Sequence, residues 1–529
     1  MTLDNLLALK NTENQDKKIA LVGMGRENLQ FLEWLLNVIK FNPAQIILAD
    51  QKDIIVPNIE LFTTFVGENY LDCLQILDLE YVFKAPGIWS LKPEFESFRN
   101  SKGSDCVNSG LVFFVQKYRD QIIGITGTKG KSTTSAMVHH LLNSFNPNSA
   151  IYCGNTTGIS PYQFWTSPNS TVDSRQFFVI ELSSFQLQDL GYAKISPKYA
   201  VITNYFIDHQ DQHGNPLEYW CSKDQLFIYQ NQNDITIYTE TVAQNTQNLD
   251  KLKLPNNLYL GSNLKQTHPE LFGFIKSPLL GDHNQNNLDQ AVAVTAATLL
   301  KQAGKIGDLV DICQEIKHHK LKYQIAASKF NGLAHRLELI RQVESETILN
   351  RKPIQLQINF YDDGYATEPD AVTAAIEALT QNPNQFLWLQ ITGKDKGVDL
   401  EKLVTAILYK EIENKTFRVD YCGQVGQNLL NAIYQVLGTR QNVPLELFKN
   451  TIENSFKNLD ELQNHFVTWL QELLNNYQEI GEFGKIHELL GSKTIVLNIV
   501  LSPCGSSFDE FENATQRSQW WVQRVKSLS

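Results

Sequence analysis

The sequence predicts an α/β protein of three domains, each built on a sheet of mostly parallel strands. At roughly 150 residues per domain, 529 residues correspond to three or four domains. Apolar strand-like runs alternate with helical patterns along the chain, which favours parallel sheets. Glycine-rich turns follow the first strand-like run in each of the first two parts. We place the domains at residues 1–108, 109–329 and 330–529.

The first domain begins with the layout of a Rossmann-like βαβ unit. Residues 19–22 are apolar, Gly23 and Gly25 follow, and after a helical pattern a second apolar run ends at Asp50. Strand, glycine turn, helix, strand and acid are typical of nucleotide binding. The third glycine of the fingerprint is missing, so a tight turn without a ligand remains an alternative. Gly87 follows another short strand-like run, and open α/β sheets bind ligands at such strand ends.

The central domain resembles a P-loop ATPase domain in its order of elements. A strand over residues 122–125 precedes a glycine-rich turn, and a helix is predicted from Thr133. The remaining elements are two strand-like runs and an alanine- and leucine-rich helix, at residues 177–180, 200–202 and 288–302. This alternation predicts a mostly parallel sheet.

The third domain is predicted to be Rossmann-like. Its strand-like runs lie at residues 356–360, 386–389, 417–420 and 495–497, with helical patterns between them. Residues 439–492 are long, polar and helical in pattern, and could be an insertion.

Composition excludes several classes of protein. The formal net charge of −11 disfavours a nucleic-acid binder. No apolar run is long enough to span a membrane, and the N-terminus has no secretion-signal pattern. Seven scattered cysteines without a C-x-x-C pair argue against a disulfide framework or a structural zinc site. We expect a cytoplasmic monomer that acts on small molecules.

The strongest chemical signal is the glycine-rich turn at residues 126–133, which reads T-G-T-K-G-K-S-T. Backbone N–H groups of such a turn, backed by a helix N-terminus, form a cradle for phosphate oxygens. Lys131 would reach the β- and γ-phosphates, and the Ser132 hydroxyl would reach magnesium. The generic P-loop needs a glycine six residues before the lysine, where this chain has Ile125, so the turn is a variant.

This variant resembles the ATP-binding loop of the Mur ligase family. Further motifs follow in the family's order along residues 18–527: E-L-S-S-F-Q-L from Glu181, T-N at 203–204, D-H-x-D-x-H-G from Asp208, Tyr219 with Lys223, G-x-H-N-x-x-N from Gly281, H-R-L-E from His335, D-D-G-Y-A-T from Asp362, and L-S-P from Leu501. Each motif could arise by chance, but all of them in order could not.

The resemblance implies an ATP-dependent ligase of peptidoglycan precursor synthesis. Family members phosphorylate the carboxylate of a UDP-linked muramoyl substrate and pass the acyl group to an amine, releasing ADP and phosphate. The motif from Glu181 is similar to the branch that adds D-glutamate to UDP-N-acetylmuramoyl-L-alanine. The implied cofactors are ATP, two Mg²⁺ ions and a CO2-derived carbamate on Lys223.

The resemblance also implies roles for individual residues. Catalysis is expected from Lys131, Glu181, His209 and Lys223, and metal binding from Ser132, Glu181, His209 and Lys223 as its carbamate. ATP binding is expected from Gly127, Thr128, Lys129, Gly130, Lys131, Ser132, Thr133, Asn284, Asn287, Arg336 and Asp363. The UDP-linked substrate is expected at Gly23, Gly25, Arg26, Asp50, Gly87, Asn155 and Ser183, and the acceptor at Lys396 and Ser507.

Simpler interpretations remain for several of these residues. Glu181 could be a helix N-terminal charge, Lys223 a solvated lysine, and Asn284 and Asn287 helix caps. Well-known D-glutamate enzymes have a lysine where this chain has Tyr365, and often an aromatic residue at the position of Ala514. A sibling ligase with another acceptor, a folate polyglutamylating relative or a non-catalytic nucleotide-binding regulator therefore remain alternatives. A dehydrogenase would leave the phosphate loop unexplained.

Overall fold

A computed structural model describes residues 2–10, 16–154, 159–165, 173, 175–206, 215–253, 257–261, 268–269, 273–305, 308–349, 352–382, 385–413, 417–439, 452, 454–475 and 494–528. The chain divides into two compact units. The first comprises Met1–Pro278 and His283–Phe330, and the second comprises Leu279–Asp282 and Asn331–Ser529.

The first unit begins with a parallel sheet in the order β3-β2-β1-β4-β5. Its strands are β1 (Lys18–Val22), β2 (Ile46–Asp50), β3 (Thr63–Val66), β4 (Leu79–Lys84) and β5 (Val107–Asn108). The accompanying helices are α1 (Leu3–Ala8), α2 (Arg26–Trp34), α3 (Cys73–Ile76) and α4 (Pro93–Lys102). The apolar run of β1 is buried, as expected for a parallel strand covered on both faces.

A second parallel sheet in the same unit has the order β11-β10-β9-β6-β8-β7. Its strands are β6 (Ile122–Thr126), β7 (Ala150–Cys153), β8 (Phe177–Glu181), β9 (Tyr199–Ile202), β10 (Ile235–Thr239) and β11 (Leu258–Leu260). Its helices are α5 (Leu111–Tyr118), α6 (Lys131–Phe145), α7 (Ser184–Tyr192), α8 (Pro216–Asp224), α9 (Glu240–Asn245), α10 (Leu249–Leu252), α11 (Asp282–Gln302), α12 (Leu309–His318) and α13 (Lys320–Ser328).

The strand order of this second sheet reverses beside β6. The chain runs from β6 to β7 and β8 on one side, and then returns to β9, β10 and β11 on the other. The loops after β6 and β9 therefore meet at the carboxyl edge of the sheet, at a topological switch point. Open α/β sheets bind their ligands at such points.

The second unit contains a mixed sheet in the order β12-β13-β16-β14-β15. Strands β12 (Glu338–Leu349) and β13 (Lys352–Asp362) form an antiparallel hairpin, while β14 (Gln385–Thr392), β15 (Phe417–Tyr421) and β16 (Thr494–Cys504) pair in parallel. The helices are α14 (Pro369–Leu379), α15 (Glu401–Glu413), α16 (Gly423–Thr439), α17 (Leu459–Asn475) and α18 (Ala514–Ser527).

Helix α17 lies in the segment 439–492 that is predicted as a possible insertion. Its side chains Leu462, Phe466 and Leu470 are buried in the same apolar cluster as Trp388 of β14. This helix therefore belongs to the core of the second unit.

The predicted α/β class is confirmed, with two parallel sheets and one mixed sheet. The boundary at residue 108 remains a prediction, because both parallel sheets lie in one compact unit. Among the described residues, no helix is long and apolar enough to cross a membrane.

Candidate active site

The glycine-rich turn connects β6 to α6 in the way that a phosphate cradle requires. Gly127 has φ 146° and Gly130 has φ 83°, and the helix begins at Lys131. A residue with a side chain is strained at both φ values, so glycine permits the turn. The first N–H groups of α6, which lack partners within the helix, lie at the end of this turn. Thr128 and Ser132 are buried and Thr133 is partly buried.

Two residues after β9 hold the turn in place. The Thr203 hydroxyl donates to the Lys129 carbonyl (2.6 Å), and the Asn204 amide both accepts from the Lys129 N–H (2.9 Å) and donates to its carbonyl (3.0 Å). A Cβ at Gly127 would lie 1.9 Å from the Thr203 hydroxyl oxygen. Glycine is therefore required there by close packing as well as by φ.

Two lysine ammonium groups meet at one carbonyl of the turn. Lys131 Nζ donates to the Gly127 oxygen (3.0 Å) and to the Thr128 oxygen (2.9 Å). Lys223 Nζ, from α8, donates to the same Gly127 oxygen (2.9 Å). Both groups lie about 3 Å from one atom, so they are within about 6 Å of each other. Two cations beside a ring of N–H donors are suited to a polyanion.

Lys223 is not the solvated lysine of the simpler interpretation. Its side chain is 1% exposed, and its Nζ also lies 4.4 Å from the centre of the Tyr219 ring. Burying an ammonium group costs free energy unless it is paired.

Glu181 is the last residue of β8, as the sequence predicts. It pairs in register with Ile125 of β6, so its side chain belongs to the strand next to the phosphate turn. Gly154, at the end of β7, approaches it closely, because a Cβ there would lie 3.4 Å from the Glu181 Cβ. Glu181 is partly buried. The strand end thus brings a carboxylate to the same edge of the sheet as the two lysines.

Asn284 and Asn287 lie in the first turns of α11. Asn287 is buried, and its Nδ2 donates weakly to the Asn284 Oδ1 (3.4 Å). A Cβ at Gly130 would lie 2.4 Å from the Asn287 Oδ1. The asparagine therefore packs directly on the phosphate turn.

Several residues predicted to bind the uridine end of the substrate lie at the carboxyl edge of the first sheet. Gly23 has φ 81°, and a Cβ there would lie 2.5 Å from Ile88. Gly25 and Gly87 border open space, since a Cβ at either would meet nothing within 4 Å. Asp50 accepts from the Met24 N–H (2.5 Å) and the Lys52 N–H (2.8 Å).

Four more residues of the first unit are predicted to bind the substrate or a metal. Arg26 is exposed at the start of α2. Ser183 caps α7, accepting from the Gln186 N–H (3.2 Å) while its own N–H donates to the Gln186 side chain (3.0 Å). Asn155 and His209 lie outside the described residues.

In the second unit, Asp363 is fixed by two hydrogen bonds. It accepts from the Leu337 N–H (3.0 Å) and the Ser502 hydroxyl (2.8 Å). Burial raises the pKa of Asp363 to about 7. Arg336 is exposed, with its guanidinium 5.9 Å from the centre of the Tyr365 ring.

The predicted acceptor residues occupy neighbouring loops of this unit. Lys396 Nζ donates to the Glu368 carboxylate (2.7 Å) and the Thr367 hydroxyl (3.0 Å). The loops of Lys394 and Ser506 are joined by paired backbone hydrogen bonds, which places buried Ser507 beside them. The Tyr365 hydroxyl shares a hydrogen bond with the Thr515 hydroxyl (2.8 Å).

The comparisons agree with this geometry. A family model described as "Mur ligase middle domain" matches residues 125–295. Proteins named UDP-N-acetylmuramoylalanine–D-glutamate ligase are similar over nearly the whole chain: that of Clostridium tetani is 23% identical over 97% of both chains, and that of Clostridium kluyveri is 26% identical over 97% of both.

The central part of the chain, residues 125–295, is a Mur ligase middle domain.

Among solved structures, MurF from Acinetobacter baumannii aligns with 95% of this chain and 90% of its own, at 15% identity and a TM-score of 0.49. Mur ligases are ATP-dependent ligases of peptidoglycan precursor synthesis, and they use ATP and Mg²⁺. The residues of the site fit both ATP and Mg²⁺. The glycine turn offers N–H groups and lysines to phosphates, and Ser132 and Glu181 offer oxygen atoms to a hard cation.

Two features of the structure were missed by sequence reasoning. Arg517 is 1% exposed and donates to the carbonyls of Gly364 (3.1 Å) and Gly505 (3.2 Å), which joins the Tyr365 loop to the Ser507 loop. Lys84 and Asp189 form an ion pair that is fully buried. Neither stands out in the sequence, because an isolated charged residue is usually solvated.

Proposed function

We propose that this chain is a Mur ligase that adds D-glutamate to UDP-N-acetylmuramoyl-L-alanine through an acyl phosphate, and releases ADP and phosphate. The observation that carries the phosphoryl step is the position of Lys131 on the phosphate turn, with Lys223 beside it as a proposed metal-binding residue. An anionic carboxylate must attack a triphosphate, and this needs positive charge, which Lys131 and Mg²⁺ would supply. The full-length similarity to D-glutamate ligases supports the choice of acceptor.

In this proposal Lys131 neutralises the β- and γ-phosphates of ATP within the turn of Gly127, Thr128, Lys129 and Gly130. Its present contacts with two loop carbonyls keep the ammonium group at the cradle. Asn284 and Asn287 bind the adenine, since side-chain amides can both donate to and accept from a base edge. Arg336 and Asp363 also take part in nucleotide binding in this proposal.

Ser132, Glu181, His209 and Lys223 would hold the two Mg²⁺ ions, which would supply charge neutralisation for the phosphates. Lys223 does so as a carbamate. A neutral amine is the form that reacts with CO2, and burial in general disfavours an ammonium ion. The carbamate would convert the second cation beside Gly127 into an anion suited to a metal.

Lys396 and Ser507 bind the acceptor. A dicarboxylate drawn from water needs cations or several donors. The Lys396 ammonium group is paired with Glu368, which the incoming carboxylate would displace. Tyr365 stands where well-known D-glutamate enzymes have a lysine, and its hydroxyl is a weaker donor than a charged group. This one observation favours a second candidate, a sibling ligase with another acceptor.

Hydroxylamine trapping tests the proposed intermediate. With MgATP and UDP-N-acetylmuramoyl-L-alanine but no amino acid, hydroxylamine should convert the acyl phosphate into a hydroxamate detectable by mass spectrometry. The Lys131→Ala variant is the control and should give none. ADP formation without any hydroxamate would contradict the acyl-phosphate route.

A further inference from the structure

Helix α7 is held to the first sheet layer by three polar contacts on one of its faces. The contacting side chains of the helix are spaced three residues apart: Gln186, Asp189 and Tyr192. Their partners, in the same order, are Glu27, Lys84 and Arg99. The spacing places all three contacts along one side of the helix.

Each contact is specific in geometry. Gln186 Nε2 donates to Glu27 Oε2 (2.9 Å). Lys84 Nζ lies 3.1 Å from Asp189 Oδ1 with both side chains fully buried. The Arg99 guanidinium lies 3.9 Å from the centre of the Tyr192 ring. Two of these partners border the proposed uridine end, because Glu27 follows Gly25 in the first turn of α2 and Lys84 precedes the Gly87 loop.

The same helix reaches the proposed phosphoryl site at its other contacts. Its capped start at Ser183 lies two residues after Glu181. On another face, Gln188 Nε2 donates to the Ser222 hydroxyl (3.0 Å), beside Lys223. Helix α7 thus contacts elements that border the proposed uridine end, and it also contacts the segments that carry the proposed metal-binding residues Glu181 and Lys223.

We propose that Glu27 is a positioning residue for the ligase reaction. Its hydrogen bond fixes the Gln186 side chain. Gln186 in turn is hydrogen-bonded to Ser183 at the start of α7, and this fixes the segment that leads to Glu181. The Gln186 amide has two tasks, because its oxygen caps the start of α7 and its nitrogen contacts α2. The nitrogen therefore needs an acceptor in a fixed position on α2. Glu27 provides one oxygen for this bond, and its other oxygen, Oε1, is buried with no hydrogen-bond partner in the described part of the chain. This inference rests on the proposed function.

Three variants test it. Glu27→Leu removes the acceptor, Glu27→Gln retains an amide oxygen that can accept from Gln186, and Glu33→Leu, at an exposed position of α2, is the matched control. Because Glu27→Leu leaves the Gln186 amide without this acceptor, we expect the variant to lower kcat/KM for UDP-N-acetylmuramoyl-L-alanine about tenfold or more. Glu27→Gln should stay within about threefold of wild type, with the KM for ATP unchanged in both.

Unchanged kcat/KM in Glu27→Leu would overturn the proposal. So would an equal loss in Glu27→Gln, or a loss accompanied by a matching fall in Tm and a rise in the KM for ATP, since these would indicate a general structural role.

Hydrogen exchange decides the positioning role without catalysis. Amides of residues 184–192 should exchange at least about tenfold faster in Glu27→Leu than in wild type, Glu27→Gln or Glu33→Leu. Equal exchange in all four proteins would overturn the proposal. If the wild type turns over no UDP-linked substrate, the proposed function fails, while this exchange measurement still gives a result for Glu27.

Discussion

Replacing Gly130 with alanine should damage nucleotide use far more than stability. The added Cβ would lie 2.4 Å from the Asn287 Oδ1, and a contact below 3.0 Å forces a shift of at least about 0.6 Å. The nearest atom is the end of a side chain, so Asn287 can yield at small cost to folding. The Asn287 side chain would then leave the position in which we propose that it binds adenine.

The magnitude follows from two separate costs. A left-handed φ costs a non-glycine residue roughly 1–2 kcal/mol of stability. Displacing a binding group by a fraction of an ångström to 1 Å costs about tenfold to a hundredfold in rate. Gly304→Ala is the matched control, because Gly304 has φ 74° and open space where its Cβ would be.

The assay compares both variants with wild type in urea unfolding and in ATP-dependent phosphate release. Gly130→Ala and Gly304→Ala should lose similar stability, while only Gly130→Ala should lose kcat/KM for ATP. If Gly130→Ala keeps kcat/KM for ATP within about threefold of wild type, the assigned contact between Asn287 and the nucleotide turn has no role in binding.

Four further predictions concern single side chains. Lys131→Ala should lower turnover about a hundredfold to a thousandfold in a folded protein, because it removes a charge-assisted contact of the transition state; turnover within tenfold of wild type would refute its role. Lys223→Ala should be nearly inactive and partly rescued by a high concentration of a small carboxylic acid; full activity without rescue would refute the carbamate. Tyr365→Lys should lower the KM for D-glutamate, since it adds a cation to the acceptor loop; an unchanged KM would contradict this reading of the position. Asp363→Asn should raise the free energy of unfolding more at pH 8 than at pH 5, because the raised pKa of Asp363 means that its contribution is present below about pH 4 and lost as the pH rises through about 7; the difference between the two pH values is on the order of 3 kcal/mol at most, and equal effects at both pH values in thermal unfolding would contradict it.

Much of the fold could be predicted from local pattern. The run Ile19–Val22 and the run before Gly127 are buried parallel strands, and apolar runs next to glycine turns are a strong local signal. The position of Glu181 at a strand end was also predictable, because it follows directly from the apolar run of β8. These features depend on residues adjacent in sequence.

Contacts between distant residues could not be predicted in this way. The pair of Lys84 and Asp189 joins positions 105 apart, and Ser183 serves as a helix cap although it was predicted only as a substrate residue. Lys223 carries no local sign of burial, since a lysine on a helix is usually solvated. Its placement depends on the strand order that brings α8 beside the turn after β6.

The most direct test of the central claim is phosphate release from MgATP and UDP-N-acetylmuramoyl-L-alanine across D-glutamate, D-aspartate, L-lysine and meso-diaminopimelate. The proposed function predicts release that depends on both the UDP-linked substrate and the amino acid, with the highest kcat/KM for D-glutamate. A neutral or basic amino acid as the best acceptor would contradict the D-glutamate assignment while leaving the ligase assignment intact. Release that is independent of the UDP-linked substrate would contradict the account as a whole.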